Sequence, residues 1–519
     1  MLHARLGSIE AITTFQDSKP LQDSSQECSF ASLKFQLYAS LSFTNVGNLP
    51  SASAEVRHTR VAVQSIAKTP RNEGPVLPSA PRHLALTKTP TTGLQCPPPP
   101  VFAMDPTESS LDDLDNDVFG PLVAISPESL VLLAKNLRSK IFKISTSAGS
   151  LIARICGSYN LVHVVQLDDF KLVIRVPATG WGSGMTTAAA HALESQVATL
   201  RLIASKTTIP VPEIYAIDTT KDNEIGAPYV CMSFISGETV SKAWFDDDNT
   251  GQFPLEDRRL KILTSVSQCL AQFSQFRFEK IGSVHGDVDS SFTIGPCYHW
   301  HQNDNSSLSI VESGPFDTLA TYLQEHQVAT DTGSVWGVAE AKLIDNIVPH
   351  LPAQSPNEGF VLSIPDFDSQ NIMVDKEGNV TGIIDWDLAQ TMPRCVGYCR
   401  YPGWITRDWD PLMYGWPKMK ESENSPEELE RYREFYNQAI GAALEWKGDW
   451  GYTKKSQIRE AVWIAALNSP NRLEICRQMV QVAMGVGVDA MDVLYDIGSD
   501  ELEEEAWCDL KKKLAQLIS

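Results

Sequence analysis

The stretch that decides the fold runs from Ile364 to Asp387, IPDFDSQNIMVDKEGNVTGIIDWD. Two short apolar runs, NIMVD (Asn371–Asp375) and VTGIIDW (Val380–Trp386), flank a Lys-Glu-Gly turn at 376–378. That is the pattern of two paired strands around a tight turn. Three oxygen-bearing side chains mark the unit: Asp366, Asn371 five residues on, and Asp385 nineteen residues after Asp366. Mg²⁺ takes oxygen ligands, and a carboxylate next to them can accept the proton of a hydroxyl that attacks a phosphate. An Asp and an Asn five apart on a loop, with a second Asp returned by the neighbouring strand, suit both tasks. A lone D-x-x-x-x-N carries no signal, because Asp-rich turns are ordinarily just solvated. The two apolar strands, and Trp386 directly after Asp385, lift this one above that background.

With those residues in view, the block resembles the catalytic core of the aminoglycoside phosphotransferase-like family, relatives of the protein kinases. The family pattern runs H-x-D-x-x-x-x-N, then a hairpin, then I-D-W. The wording P-D-F-D-S-Q-N-I and G-I-I-D-W-D is similar to filamentous-fungal members, and the resemblance covers roughly residues 130–450. It implies an α+β, two-lobed, protein-kinase-like fold with a small sheet-containing lobe and a mostly helical one. It also implies ATP and Mg²⁺ as cofactors, and phosphoryl transfer to a hydroxyl of a small molecule. By the same resemblance Asp366 is the catalytic base, and Asn371 and Asp385 are the Mg²⁺ ligands.

Upstream residues fit the family's order. Gly157-Ser158-Tyr159-Asn160 takes the place of the turn over the nucleotide phosphates, and Arg175 in VIRV the place of a cation on the α- and β-phosphates. Glu194, on the next helix, is the implied ion-pair partner of Arg175. Met232, Ser233 and Phe234, with Ile235, form the implied hinge for adenine, and Gly237 releases the chain into the helical lobe. Two residues depart from the pattern: Ile364 stands where the family has His, and Arg175 where Lys is usual. Arg keeps the charge but offers a planar fork in place of a compact ammonium. Ile364 supports an alternative of a different class, a weak or inactive pseudokinase with a binding or regulatory role.

Working outward, Ser126, Pro127 and Glu128 spell a helix start, with Leu130, Leu133, Leu137 and Ile141 at helical spacing. Strands are expected over Leu161–Leu167, Lys171–Val176 and Pro228–Ile235, with a helix over Thr187–Ser205. Helical patterns then dominate, over Arg258–Phe276, Phe316–His326, Glu427–Trp446, Ser456–Leu467 and Glu501–Ile518. The expected division is a disordered extension over 1–125, a nucleotide-binding lobe over 126–236 and a helical lobe over 237–519. The extension is rich in Ser, Thr and Pro without sustained periodicity, so it cannot bury enough apolar surface to offset its ordering entropy. Met104, opening MDPTESSLDDLDND, reads as a plausible natural start.

Composition narrows the partners. Among 519 residues, 43 Lys and Arg face 64 Asp and Glu, a net charge of −21. Residues 1–103 hold nine basic and six acidic side chains, so the acidic excess lies wholly downstream. A nucleic-acid binder needs a concentrated basic face, and no apolar run approaches the ~20 residues of a membrane span. The partner that the resemblance implies is a small hydroxyl-bearing acceptor; the acidic balance favours a cationic one, and the composition speaks against nucleic acid and membrane. Ten scattered cysteines suit reduced packing groups, and the N-terminus lacks a secretory apolar core, so a cytoplasmic location is expected. No D-F-G or A-P-E follows Asp385, which argues against a protein substrate.

Three further motifs compete for attention. His285-Gly286-Asp287 spells the family's H-G-D, but the fifth position after Asp287 is Phe292, so the motif reads as a decoy in a polar hairpin. Gly180, Gly182 and Gly184 miss the dinucleotide spacing and read as a connecting loop. Cys297, His299 and His301 alternate along an extended segment without a fourth metal ligand in view. The run YPGWITRDWDPLMYGW (Tyr401–Trp416) reads first as packing, with Trp404, Asp408, Trp409 and Asp410 as acceptor-side candidates.

Overall fold

The computed structural model describes residues 118–519 apart from 247–253, 289–290, 303–307, 331 and 353–357. The expected extension up to residue 117, Met104 included, lies outside the described residues. Its last part does not behave as an extension. Gly120–Ala124 form a 3-10 turn, and Phe119 and Leu122 are buried in the small lobe's core. The boundary expected at 126 is corrected on that ground: PLVAI is apolar enough to pack, and Arg154 fastens it by donating to the carbonyls of Val123 and Ile125 at 2.6 Å each.

The small lobe opens with helix α1 (Pro127–Phe142), capped by Ser126 Oγ, which accepts from the Ser129 amide at 3.1 Å. Strands β1 (Ser150–Cys156), β2 (Asn160–Leu167) and β3 (Phe170–Pro177) follow, then helix α2 (Thr187–Lys206), β4 (Ile214–Asp218) and β5 (Tyr229–Ser233). They form one antiparallel sheet in the order β1-β2-β3-β5-β4. Alternation along β3 sends Leu172, Ile174 and Val176 into a core with Leu130, Leu133 and Leu137 of α1. Val173 turns to the other face, where Leu193 and Val197 of α2 pack with Val230 and Met232. Ile141 stays exposed, so the last residue of the expected helical stripe has no core to face.

After β5 the chain crosses at Gly237. Its φ is +136°, and a Cβ there would come within 2.6 Å of the Val374 carbonyl oxygen, so glycine is required. Strand β6 (Glu238–Thr239), helix α3 (Val240–Trp244) and helix α4 (Leu255–Ala271) begin the helical lobe. Two hairpins come next, β7 (Ser283–His285) with β8 (Thr293–Gly295), and β9 (Cys297–Gln302) with β10 (Leu308–Ser313). Helices α5 (Leu319–His326) and α6 (Val335–Ile347) precede β11 (Val361–Ser363), β12 (Ile372–Val374), β13 (Val380–Ile383) and β14 (Gln390–Met392). Helices α7 (Pro426–Ala443), α8 (Ser456–Leu467), α9 (Ser469–Met484), α10 (Ala490–Ser499) and α11 (Glu504–Ile518) complete it. The result is the α+β, two-lobed architecture expected. No described helix is long and apolar enough to cross a membrane.

Strands β12 and β13 pair antiparallel, and β6 adds to the free edge of β12. The Ile383 amide donates to the Pro210 carbonyl at 2.8 Å, and Thr381 Oγ1 donates to the Ser236 carbonyl at 2.7 Å. The decisive hairpin is thereby tied to the α2–β4 connection of the small lobe and to the segment by which the chain leaves that lobe.

Candidate active site

The loop before β12 folds tightly enough to turn sequence spacing into contact. The Asp368 amide donates to the Asp366 carbonyl at 2.9 Å, and the Asn371 amide to the Asp368 carbonyl at 3.1 Å. Asn371 Nδ2 then reaches Asp366 twice, its carbonyl and its Oδ2, at 3.0 Å each. Gln370 Nε2 donates to the same Oδ2 at 2.9 Å. Beyond the ladder of β12 and β13, the Ile384 amide donates to the Asn371 carbonyl at 2.9 Å. That bond sets Asp385 next to Asn371. Trp386 is the anchor: it is buried in the central core, and its Nε1 donates to the Ile383 carbonyl at 3.0 Å. Asp385 sits at φ +61° between the two, so the chain pivots there, burying Trp386 and leaving the carboxylate toward the cleft.

The electrostatics record the convergence. Burial, then the charges of Asp368 and Asp385, push the Asp366 carboxyl up to about 7. Burial also raises Asp368, which the Arg407 guanidinium holds at 2.8 Å. The turn from Gly157 to Asn160 closes on a 2.9 Å bond from the Gly157 amide to the Asn160 carbonyl, joining β1 to β2. Tyr159, in this turn, is buried, and burial followed by the charge of Asp385 pushes its phenol up. The turn is tied to the segment after Asp385 by Asn160, whose Nδ2 donates to Asp387 Oδ2 at 2.5 Å. Met232 and Ser233 end β5 and Phe234 follows, at the junction expected for the hinge. Ser233 is fixed by reciprocal 2.9 Å bonds with Glu213.

One expected pair does not form. Arg175 projects from β3 on the α2 face, but its fork meets Asp385 Oδ1 at 2.8 Å and Asp387 Oδ1 at 3.0 Å rather than Glu194. Glu194 is exposed and lines a separate cavity of about 240 Å³ with Arg201, His285 and Gly286. Gln196, two residues and thus ~200° further round the helix, is the α2 side chain that reaches the cleft, and it donates to Asp387. Helical phase decides this, and a motif match does not fix phase to one residue. Asp387, which the sequence does not single out by itself, is the carboxylate that meets Arg175; its place in I-I-D-W-D, two after Asp385, was the available signal.

The other candidates resolve as packing. His285 and Asp287 belong to the β7–β8 hairpin, with Asp287 paired to Arg201 at 2.5 Å, far in role from the Asp366 loop. Among the described residues no group of three or more His, Cys, Asp or Glu side chains could hold a metal, so Cys297, His299 and His301 form no such centre. Trp404 packs edge-on against Trp244 and Phe367, and Trp409 is buried in the distal core. Asp408 is locked bidentate to Arg433 at 2.6 and 3.0 Å. Ile364 is buried in the central core, and Arg400 holds the backbone there. Arg400 donates to the Ile364 carbonyl at 2.8 Å and to Ser363 Oγ at 2.6 Å.

The donor set suits a hard divalent cation. Asn371 commits its amide nitrogen to Asp366, which turns its oxygen elsewhere, and 40% of the Asp385 side chain is still exposed. Two oxygen ligands from protein, with the rest from phosphate and water, are what Mg²⁺ accepts.

The chain is similar to several known proteins. A subtelomeric hrmA-associated cluster protein of Aspergillus fumigatus is 27% identical over 318 residues, covering 49% of this chain and 60% of the relative. Altered inheritance of mitochondria protein 9 of Candida albicans is 32% identical over 142 residues, 26% of this chain and 22% of the relative. The chain therefore spans no more than about 60% of the length of these relatives. Among solved structures, aminoglycoside phosphotransferase APH(4)-Ia aligns at 12% identity over 76% of this chain and 98% of its own, with a TM-score of 0.37. The model of the phosphotransferase enzyme family (APH) matches residues 133–396, from within α1 to just past β14 and more than half of the chain. On the strength of that match and of the loop, hairpin and sheet described above, the chain belongs to the phosphotransferase enzyme family.

Proposed function

We propose that the protein is an ATP- and Mg²⁺-dependent phosphotransferase acting in the cytoplasm on a hydroxyl of a small molecule. The observation that carries this is the clustering of Asp366 and Asn371 at 3.0 Å, with the Asn371 carbonyl bonded at 2.9 Å to the amide of Ile384, the residue before Asp385. In the reaction the acceptor oxygen attacks the γ-phosphorus, the bond to the β,γ-bridging oxygen breaks, and ADP leaves. The acceptor's proton passes to the Asp366 carboxylate, which Gln370 and Asn371 orient. Mg²⁺, held by Asn371 and Asp385, would neutralise charge on the phosphate oxygens. Arg175 contributes a second positive charge from the small lobe. Burial, and then the charges of Asp368 and Asp385, push Asp366 up to about 7, and carboxylates gathered in this way favour an acceptor that brings positive charge of its own.

Arg400 favours this reading over a pseudokinase. Its guanidinium bonds Ser363 Oγ and the Ile364 carbonyl, so the backbone entering the Asp366 loop is held although the Ile364 side chain itself makes no hydrogen bond. The test is an ATP-consumption screen over small alcohols, amino alcohols and aminoglycosides, with Asp366→Ala beside the wild type. Loss of a general base is expected to lower turnover by roughly 10²–10⁴-fold. Mg-ATP should still raise the melting temperature of the variant, because binding to the folded state alone stabilises it. Equal ATP consumption by the two proteins would remove Asp366 from the chemistry.

A further inference from the structure

Asp387 receives three donors from three different pieces of the small lobe. Arg175 Nη1 of β3 donates to its Oδ1 at 3.0 Å, and Gln196 Nε2 of α2 donates to the same oxygen. Asn160 Nδ2, at the start of β2, donates to its Oδ2 at 2.5 Å. Asn160 and Gln196 are both buried, and burial of amide groups is costly unless they are bonded. The carboxylate itself is held from the helical lobe. Trp386 on one side is locked in the central core, and Leu388 on the other packs against Ala189, Ala192, Tyr298 and Ile310. A fixed carboxylate thus meets one arm of the Arg175 fork, while Asp385 meets the other.

We infer that Asp387 is a positioning residue. It holds the Arg175 guanidinium over the phosphate site and ties the small lobe down onto the helical one. This inference rests on the nucleotide reading above and extends it to a carboxylate that Glu194 was expected to supply. Arg175 has two carboxylates to choose from, and only Asp385 is placed to exchange it for a cation and phosphates. Asp387 keeps its arm throughout. A flexible Arg would lose side-chain freedom on meeting a nucleotide; one already held in a fork does not.

The test is a mutant cycle read in ATP kinetics. Asp387→Asn is expected to raise KM for ATP at least fivefold while kcat changes less than threefold. Arg175→Met should raise KM similarly, and the double variant should be no worse than Arg175→Met alone, because Asp387 acts through Arg175. Asn160→Ala and Gln196→Ala, which leave both charged groups in place, should give smaller increases of two- to threefold and keep the proposal testable if Asp387→Asn folds poorly. Half-saturating Mg²⁺ should stay within twofold of wild type in Asp387→Asn and rise in Asp385→Asn. Multiplying effects in the double variant would overturn the proposal. So would a lowered kcat at unchanged KM, the mark of a merely structural role, or a shifted Mg²⁺ dependence in Asp387→Asn, the mark of a metal ligand. A wild type that neither binds nor consumes Mg-ATP is a different failure. It overturns the nucleotide reading itself, and this proposal with it.

Discussion

His163 shows how much a single side chain can set the protein's tolerance to acid. It lies fully buried on β2, on the face that carries Leu161 and Val165 into the α1 core, and neither ring nitrogen has a hydrogen-bond partner. Burial, and then the nearby Arg154 charge on β1, lower it from 6.5 to about 4. The folded state therefore holds this histidine neutral where the unfolded chain would protonate it. Its contribution is intact above the unfolded value near 6.5 and is lost as pH falls from there toward 4. Between pH 7 and pH 5 that loss amounts to about 2 kcal/mol. Denaturation of His163→Leu at both pH values should show that much less acid destabilisation than wild type; parallel losses would mean His163 is not the group responsible. The active-site residues carry a related lesson. Asp366, Asn371 and Asp385 were legible as a spacing, because a tight loop and a hairpin convert sequence separation into contact locally. The partner of Arg175 was not, since it depends on which side of α2 meets the cleft.

At the scale of the element, the hairpin of β12 and β13 formed as its apolar runs and Lys-Glu-Gly turn dictated. Helix α8 matches its expected range to the residue, and α2 runs one residue beyond it. Edge strands β1 and β4 went unread. In β1 most residues are at least partly exposed and Leu151 and Ala153 flank a register shift, so no alternation of apolar and polar residues marks it. Helices α6, α9 and α10 also went unread, although Ser334 caps α6 and Asp489 caps α10. The β9–β10 hairpin has the largest consequence for the site. Its Trp300 stacks on Tyr159 of the Gly157–Asn160 turn, with ring centroids 4.1 Å apart and planes within 10°. Such a stack contributes about 1 kcal/mol beyond area burial. Trp300→Ala should therefore speed amide exchange in residues 157–160 by roughly fivefold, read by hydrogen–deuterium exchange, with helices α8 and α9 unchanged. No change at the turn would show that it holds its shape without the hairpin.

For the whole molecule, the division into lobes is real in topology and incomplete in packing. Helix α2 begins against the sheet, but Ala198, Leu200, Leu202 and Ile203 at its far end, and Ile209 after it, are buried with Val240, Trp244, Ile262 and Leu263 of the helical lobe. Burying four such aliphatic side chains stabilises by on the order of 10 kcal/mol, comparable to the net stability of an ordinary domain. Residues 118–236 expressed alone should accordingly give no cooperative melting transition, whereas 118–519 should give one. A sharp, reversible transition in the fragment would show that the lobes fold independently. The amino-acid sequence alone determined the Asp366 loop and the hairpin, because each is encoded over a few adjacent residues by turn chemistry and spacing, and its resemblance to a known family carried the fold class. Only the tertiary structure decided that Asp387 rather than Glu194 clasps Arg175, that Arg400 bonds the backbone at Ile364, and that α2 is shared among several cores. Those outcomes depend on how elements far apart in the chain are rotated and seated against one another, and packing sets that rotation only once all of them are present.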